Sequence, residues 1–487
     1  MKHLQSTAFV LAGSVLIAAC ADDVFQPQLT PDAPAAMSSD APGSLDMMAT
    51  PAPTHMVVFK GKGVPADFAQ KVEALGGEVE LTVPRFNVAS VRGLDDAGIL
   101  ALQGDRNVSL IESETIHELP NVMLGDVLAM GAVPNSPDAP ATASFYPRQW
   151  NLRTIQAQDA WAAGHLGSPD VTVAILDTGI DYRHADLAGL VDLDRSVSFA
   201  TADDPYVQFY FPGAHLVADI GYHGTHVAAT VSSNALAAAG VTSRTTLMGV
   251  KVCSVAAGGC PAVAIFAGIA HAVENGADII NMSLGGAFQK SANPGYHSII
   301  NQAFNYAHQN GVTVIVSAGN ESIDLDHDLY PDPNTGEIRH FPSLYKTYCS
   351  TPHNICVSAT GPTSGGTTGP WPDADAPASY TNYGRSAINV AAPGGTSGAA
   401  VTAACSGFSL TVPVCQTGTY VVGLGGTSMA APHVSGVAAM ILGQRGRMQP
   451  SQLRNALERA ADDLGQSGTD PFYGKGRINA ARSIGAI

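Results

Sequence analysis

An apolar run from Val171 to Leu176 constrains the fold more than any other feature of this 487-residue chain. A strand of this kind has no polar face, so it must be covered on both sides, as in the parallel sheets of α/β proteins. From Trp150 onward, further strand-like runs alternate with helical patterns, which indicates the same architecture. The run stops at Asp177-Thr178-Gly179. The sequence therefore predicts a carboxylate at the carboxyl edge of a parallel sheet, where such sheets hold their ligands.

A second motif, His223-Gly224-Thr225-His226-Val227-Ala228, places a histidine at the start of an apolar helical segment. Two histidines three residues apart can ligate a metal ion. However, the segment has no H-E-x-x-H pattern, and no acidic third ligand stands at motif spacing. The motif therefore favours an acid–base role for His223 over a zinc site.

A third motif, from Gly425 to Gly436, brings Ser428 from a glycine turn onto the first turn of a predicted helix. Backbone N–H groups at such a position can face a developing oxyanion. The chain order Asp177, His223, Ser428 differs from that of chymotrypsin-like enzymes and of α/β-hydrolases. Because Ala430 stands where the G-x-S-x-G elbow needs glycine, an esterase of the α/β-hydrolase type is disfavoured.

The three motifs together resemble the signatures of the subtilase family of serine proteases, and the likeness extends from Trp150 to Ile487. The resemblance implies a subtilisin-like three-layer α/β/α domain with a mainly parallel sheet over residues 147–487. It also implies a serine endopeptidase in which Ser428 attacks, His223 moves the proton and Asp177 orients His223. A second hypothesis is a catalytically inactive, subtilase-like surface lipoprotein that acts as a binding scaffold. His226 and His433 are interpreted as packed helix residues.

The resemblance extends to the oxyanion site and the substrate-binding strands. Asn320 follows the predicted strand Val312–Val316, and the family uses this asparagine to donate to the oxyanion. The strand that walls the primary specificity pocket corresponds to Asn281–Gly286, and extended pairing of this kind implies broad peptide specificity. The predicted substrate-binding residues are Gly258, Gly259, Ser283, Leu284, Gly285, Gly286, Ser317, Ala318 and Gly319.

Seven cysteines divide into one near the N-terminus and three close couples. No couple has the C-x-x-C spacing of a zinc site, and close couples suit short disulfide loops in an oxidising compartment. Six unrelated buried thiols are the alternative. The couples are Cys253 with Cys260, Cys349 with Cys356, and Cys405 with Cys415.

The N-terminus predicts export. Lys2 precedes an apolar stretch from Ala8 to Ala19, which is too short to span a bilayer. The ending at Cys20 resembles a bacterial lipobox, so residues 1–20 are predicted to be a signal peptide whose cysteine is lipidated. The protein would then be anchored in the cell envelope. Cleavage of an ordinary signal peptide and secretion are the alternative. Residues 21–54 are expected to be a flexible tether.

Residues 55–118 show the element order β-α-β-β-α-β, which predicts a small ferredoxin-like α+β domain. Beside a subtilase-like domain this unit resembles the family's inhibitory and chaperone propeptide. A permanently attached surface domain is the alternative. Residues 119–146, which contain several Pro, Ala and Gly residues, are interpreted as an exposed linker with the processing site.

Charge and carboxylate spacing limit the partners. The net charge is −17, of which −11 falls in residues 21–146, so an acidic surface argues against nucleic acid. The expected partners of this monomer are protein or peptide substrates and its own propeptide. No cofactor is required for catalysis.

Asp186 matches a calcium position of some relatives, but the loop near residues 232–240 is mostly alanine. Asp324, Asp326 and Asp328 favour a solvated acidic loop over calcium. Structural calcium is kept as an alternative without assigned residues, so no metal ligand is predicted.

Overall fold

The computed structural model describes residues 53–119, 121–131, 135–327, 329–331, 337–340, 344–366 and 368–487. The predicted signal peptide with Cys20, and nearly all of the predicted tether, lie outside these ranges. Within them, no helix combines the length and the apolar character needed to cross a bilayer.

Seven parallel strands form the central sheet, as predicted for the α/β domain. In spatial order they are β18-β17-β13-β11-β7-β9-β8. The strand β7 (Thr172–Asp177), which carries most of the apolar run, is buried along its whole length. The other six are β8 (Val197–Ser198), β9 (Thr246–Lys251), β11 (Ile279–Met282), β13 (Thr313–Ser317), β17 (Asn354–Thr360) and β18 (Val390–Pro393).

Helices cover both faces of this sheet. Successive residues of β7 point to opposite faces, so Ile175 packs with the helices on one face and Leu176 with those on the other. The first face carries α6 (His223–Val231) and α9 (Thr427–Arg445), and the second carries α7 (Ala262–Glu274) and α8 (Pro294–Gln309). The remaining helices of this domain are α3 (Trp150–Thr154), α4 (Ala157–Ala162), α5 (Asp204–Tyr210), α10 (Pro450–Ala460) and α11 (Ala480–Ser483). The three-layer subtilisin-like fold predicted from the sequence is confirmed.

The N-terminal unit is a four-stranded antiparallel sheet with two helices and its own apolar core. Its strands lie in the order β2-β3-β1-β4. Met56 and Val88 of this sheet also share one apolar cluster with α7 and α8. The elements are β1 (Thr54–Phe59), α1 (Phe68–Ala74), β2 (Glu78–Val83), β3 (Val88–Arg92), α2 (Asp96–Gln103) and β4 (Val108–Ser113). The unit therefore packs against the helical layer of the α/β domain.

Two carboxylates at the end of the N-terminal sheet cap these two helices. Glu112 accepts hydrogen bonds from the N–H groups of Gly295 and Tyr296, at 3.0 and 2.8 Å, in the first turn of α8. Glu114 accepts from the N–H of Val263 at 2.9 Å, in the first turn of α7. The first N–H groups of a helix have no partner within the helix and carry partial positive charge. The two glutamates therefore fix the N-terminal unit on the α/β domain in a single orientation.

The connector between the two units contains strands that the sequence did not predict. The strand β5 (Ile116–Glu118) pairs with β10 (Gly259–Pro261). Within residues 119–146, interpreted above as a linker, β6 (Met123–Ala129) pairs with β20 (Tyr420–Gly425), which in turn pairs with β19 (Val401–Ala404). Two further short antiparallel pairs lie within the described residues: β12 (Phe288–Gln289) with β16 (Leu344–Tyr345), and β14 (Leu329–Pro331) with β15 (Ile338–His340).

The structure joins the three cysteine couples named in the sequence analysis as disulfides. Each closes a short segment, with partners separated by seven, seven and ten residues. The Cys253–Cys260 bridge closes the loop that leads into β10. Short rings of this kind order local loops more than they stabilise the whole chain, since the entropic effect grows with loop length.

Asp186, which the sequence analysis matched to a calcium position, accepts hydrogen bonds from backbone N–H groups. Asp186 is fully buried and accepts hydrogen bonds from the N–H groups of Leu236, Ala237 and Ala238, at 2.8, 2.8 and 2.9 Å. These residues belong to the alanine-rich loop noted above. Three N–H donors supply the positive partial charge that a cation would supply in an oxygen-rich loop. Asp186 thus holds this loop through three backbone N–H groups.

We expect Glu112→Ala to loosen the N-terminal unit, because the first turn of α8 loses its cap. The free energy for opening β1 and β4 should fall by about 1–2 kcal/mol. Amide hydrogen exchange of the full chain measures this energy. Glu73→Ala changes an exposed glutamate on α1 of the same unit and is the matched control. Equal exchange in the two variants would contradict the capping role.

We expect Asp186→Ala to lower the free energy of unfolding by about 3 kcal/mol or more, because three buried N–H groups lose their acceptor. Millimolar calcium should not restore the lost stability. Urea unfolding with and without calcium measures both effects, and Asp170→Ala, at an exposed aspartate, is the control. Recovery of stability on adding calcium would show that the loop is a metal site.

Candidate active site

The end of β7 and the start of α6 bring Asp177 and His223 together. Asp177 is the last residue of β7, and His223 is the first residue of α6. The Nδ1 atom of His223 lies 2.7 Å from Oδ1 of Asp177, and both side chains are buried. The N–H of Thr178 donates to the same Oδ1 at 2.7 Å. A carboxylate on Nδ1 keeps the proton on that nitrogen, so Nε2 is left as the basic atom.

A close backbone contact sets this geometry. A Cβ atom on Gly224 would lie 2.2 Å from the carbonyl oxygen of Gly179 and 3.1 Å from Cβ of Asp177. The N–H of Gly224 also donates to Oγ1 of Thr178 at 2.9 Å. Only glycine allows the first turn of α6 to touch the end of β7 so closely. The distance between Asp177 and His223 depends on this contact.

Asp219, which the sequence analysis did not single out, binds the first turn of α6 through its carboxylate. Its carboxylate accepts from the N–H and the hydroxyl of Thr225, at 3.0 and 2.7 Å, and from the N–H of Gly221 at 3.0 Å. Burial raises the pKa of Asp219 to about 6, and the nearby charge of Asp177 adds to the shift. The sequence feature that could have pointed to this role is the acidic side chain of Asp219, four positions before His223.

Ser428 lies in the first turn of α9, as predicted, and faces the end of β11. Its hydroxyl donates to the carbonyl oxygen of Ser283 at 3.2 Å, and the Ser283 hydroxyl donates to the carbonyl oxygen of Ser428 at 2.8 Å. No residue in the described part of the chain hydrogen-bonds Nε2 of His223. The structure therefore forms the Asp177–His223 pair, whereas the Ser428 hydroxyl points to Ser283.

Asn320 is fixed with its amide nitrogen toward the cleft. Its Oδ1 accepts from the N–H and the hydroxyl of Thr427, both at 2.9 Å. The Thr427 hydroxyl in turn accepts from the N–H of Gly319 at 3.0 Å. The Nδ2 of Asn320 donates to the carbonyl oxygen of Asn121 at 2.9 Å. Thr427 thus orients the side chain of Asn320, which the sequence analysis assigned to the oxyanion. The position of Thr427 directly before Ser428 could have suggested this role.

The predicted substrate-binding residues divide into three groups. Five of them line a cavity of about 390 Å³ beside Ser428: Leu284, Gly285, Gly286, Ser317 and Gly319. Ser283 and Ala318 are buried behind this lining, where they hold Ser428 and neighbouring backbone. Gly259 pairs with β5, and Gly258 precedes it in the left-handed region with φ 69°.

The chain's own connector occupies the cleft on both sides of Ser428. Upstream, Glu118 pairs with Gly259. The carbonyl of Asn121 then reaches Asn320, and downstream Met123 pairs with Gly425, three residues before Ser428. The connector therefore lies along both sides of the cleft, as β5 upstream and β6 downstream, with the carbonyl of Asn121 at the amide of Asn320.

His117 of β5 fills an aromatic pocket next to the cleft. It is buried, its Nε2 lies 2.7 Å from the hydroxyl of Tyr296, and its ring packs against Phe288 and Tyr348. Burial lowers the pKa of His117 to about 4. Among the described residues no charged group compensates for desolvation of the imidazolium, so the pocket accepts this histidine in its neutral form.

The two remaining motif histidines are packed in the core, as interpreted from the sequence. The Nε2 of His226 lies 2.9 Å from the carbonyl oxygen of Val401, and Nδ1 of His433 lies 2.7 Å from that of Met429. Burial lowers the pKa of His226 to about 3 and that of His433 to about 4. Both are therefore neutral hydrogen-bonding groups of the helices.

Acidic side chains of the insertion after Asn320 bind protein groups. Asp324 contacts Nδ1 of His327 at 2.7 Å, and Asp326 accepts from the N–H and the hydroxyl of Ser386. Asp328 lies outside the described residues. Across the described ranges, no group of three or more His, Cys, Asp or Glu side chains is arranged to hold a metal ion.

Comparisons with known proteins agree with this geometry. The model of the subtilase family matches residues 168–476. Thermitase of Thermoactinomyces vulgaris is 31% identical over 350 residues, which cover 70% of this chain and 97% of thermitase. Subtilisin DY of Bacillus licheniformis is 32% identical over 332 residues, which cover 68% of this chain and 96% of the subtilisin.

Solved structures show the same fold. The epidermin leader peptide processing serine protease of Staphylococcus aureus superposes with a TM-score of 0.66 at 19% identity, covering 88% of this chain and 97% of its own. Fervidolysin of Fervidobacterium pennivorans gives 0.63 at 24% identity, covering 89% of this chain and 61% of its own. With the family match spanning more than half of its residues, this chain belongs to the subtilase family of serine peptidases.

Proposed function

We propose that this protein is an exported serine endopeptidase that hydrolyses peptide bonds through Asp177, His223 and Ser428, and that it cleaves its own chain. One observation carries the proposal. The carbonyl oxygen of Asn121 accepts the Nδ2 hydrogen bond of Asn320 at 2.9 Å, while the strands on either side of it pair with the two walls of the cleft. The chain thus presents one of its own peptide bonds where a substrate would lie.

The chemistry follows from the protonation states. A serine hydroxyl is almost entirely protonated at neutral pH, so it needs a base to attack. The Ser428 hydroxyl leaves the carbonyl of Ser283, donates to Nε2 of His223 and attacks the carbonyl carbon. Asn320 Nδ2 and the N–H of Ser428 stabilise the oxyanion. His223 then protonates the leaving amine, water cleaves the acyl-enzyme, and Asp177 stabilises the imidazolium throughout.

The proposed self-cleavage falls at Asn121–Val122. Hydrolysis there would separate the N-terminal unit from the α/β domain, yet Glu112, Glu114 and β5 would still hold it in place. A retained unit of this kind blocks the cleft, as an inhibitory propeptide does. Parallel sheets with many long-range contacts fold slowly, which gives the unit a second role as a folding chaperone.

The proposed location is outside the cytoplasm. The pattern from Lys2 to Cys20 supports a cleaved signal peptide with a lipid anchor on Cys20. Three disulfides in the α/β domain support an oxidising compartment. Protein or peptide substrates, a monomeric enzyme and catalysis without a cofactor complete the proposal.

We expect the chain lacking residues 1–20 to cleave itself between Asn121 and Val122 and to hydrolyse casein. Ser428→Ala should abolish both reactions. Asn320→Ala should slow them by about 10²- to 10³-fold, since one oxyanion donor is lost. Intact-mass analysis locates the cut, and Ser451→Ala, at an exposed serine of α10, is the matched control.

A folded chain that keeps its full mass and leaves casein intact would instead support the inactive scaffold. A cut at another bond that still requires Ser428 would overturn the assignment of Asn121–Val122 alone.

We expect the cleaved N-terminal fragment to bind more weakly in acid. Free His117 has an ordinary pKa near 6.5, whereas burial in the complex lowers it to about 4. Protonation of His117 between these values favours the released fragment, so His117 alone should lower the affinity by up to about tenfold per pH unit below 6.5 and leave it unchanged above 6.5. Size-exclusion chromatography of the processed protein at several pH values measures retention. His117→Phe fills the pocket without titrating, and equal pH dependence in both proteins would refute the role of His117.

A further inference from the structure

We propose that β6 remains on β20 after self-cleavage and makes the processed enzyme cleave substrates with several residues beyond the cleaved bond more slowly than substrates with few or none. The inference rests on the proposed function, because it takes the cut at Asn121–Val122 as given. It adds a determinant of specificity on the leaving-group side of the cleft.

The position of β6 defines the surface that it covers. β20 leads through Gly426 directly into the helix of Ser428, and β6 pairs with β20 from Met123–Gly425 to Ala129–Tyr420. The pairing continues at Met130, whose N–H donates to the carbonyl of Thr419 at 2.8 Å. An extended substrate that continues past Ser428 on this side would need the same strand edge.

Side-chain contacts anchor β6 beyond its backbone pairing. Leu128 packs in an apolar cluster with Ala237, Ala238 and Val421. Val127 packs against the main core of the α/β domain. All of these partners belong to the part of the chain that follows the proposed cut.

The two halves of the cleft therefore differ after cleavage. β5 precedes the cut, so it leaves the cleft when the N-terminal fragment dissociates. β6 follows the cut and stays covalently linked to the domain through residues 130–147. A tethered segment of this length has an effective concentration of about millimolar or more, which free peptides at micromolar concentration do not match. Substrates with a long leaving group must displace β6, whereas those with a small leaving group need not.

Two substrates with the same upstream residues test this directly. One carries a p-nitroanilide leaving group, and the other is an internally quenched peptide with four residues beyond the cleaved bond. The measured quantity is the ratio of kcat/KM for the extended substrate to kcat/KM for the anilide. The enzyme assayed is the self-cleaved protein that retains β6. Leu128→Asp should raise this ratio by about tenfold, as expected when a tether loses much of its effective concentration.

Val414→Asp is the control, because Val414 is an apolar residue of the processed domain that is 44% exposed and lies outside β6. It should leave the ratio at the wild-type value. If Leu128→Asp does not fold, Leu128→Ala should raise the ratio about two- to threefold, for the same reason of weaker tethering. An unchanged ratio in a folded Leu128 variant would overturn the proposal. Failure of every form to hydrolyse either substrate would refute the proposed function, and this inference with it.

Discussion

The contact between the end of β7 and the start of α6 is the constraint on which the candidate site depends. Gly224 touches the backbone of Gly179 so closely that no side chain fits between them. The contact brings an acidic strand end and a basic helix start within hydrogen-bond distance in a buried place. In that low-dielectric setting the Asp177–His223 hydrogen bond is strong, and a misplaced charge would be costly. The seven-stranded sheet and its two helical layers supply the rigid frame that the contact requires.

The sequence predicted those parts that are specified by side-chain pattern. The apolar run before Asp177 required a doubly covered strand, and the glycine turn before Ser428 required a helix start. It missed β6, because an edge strand paired through its backbone needs no strict alternation of apolar residues. It also missed the roles of Asp219 and Thr427, since the fold brings their partners near, and these are backbone groups of Gly221 and Gly319 as well as side chains of Thr225 and Asn320. The direction of the Ser428 hydroxyl depends on a rotamer, which no motif encodes.

The N-terminal unit meets the α/β domain through two different kinds of interaction. Apolar side chains of its sheet pack against α7 and α8. This contact buries apolar surface but does not fix the orientation of the unit, because the hydrophobic effect is not directional. The carboxylates of Glu112 and Glu114 provide direction, because helix N–H groups donate strong hydrogen bonds only when the acceptor lies close to the N–H direction. The combination places residues 116–119 and 121–129 in the cleft in one register.

The Cys253–Cys260 bridge has a consequence for the energetics of peptide binding. It closes the loop that ends in β10, the strand edge on the upstream side of the cleft. A loop that is already rigid loses little conformational entropy when a peptide binds to it. Ordering of the protein therefore offsets less of the interaction energy. Backbone pairing, which is weak and indifferent to side-chain identity, then suffices to hold many different sequences. Under the proposed function, preorganisation of this edge by a covalent ring would favour a broad range of peptides.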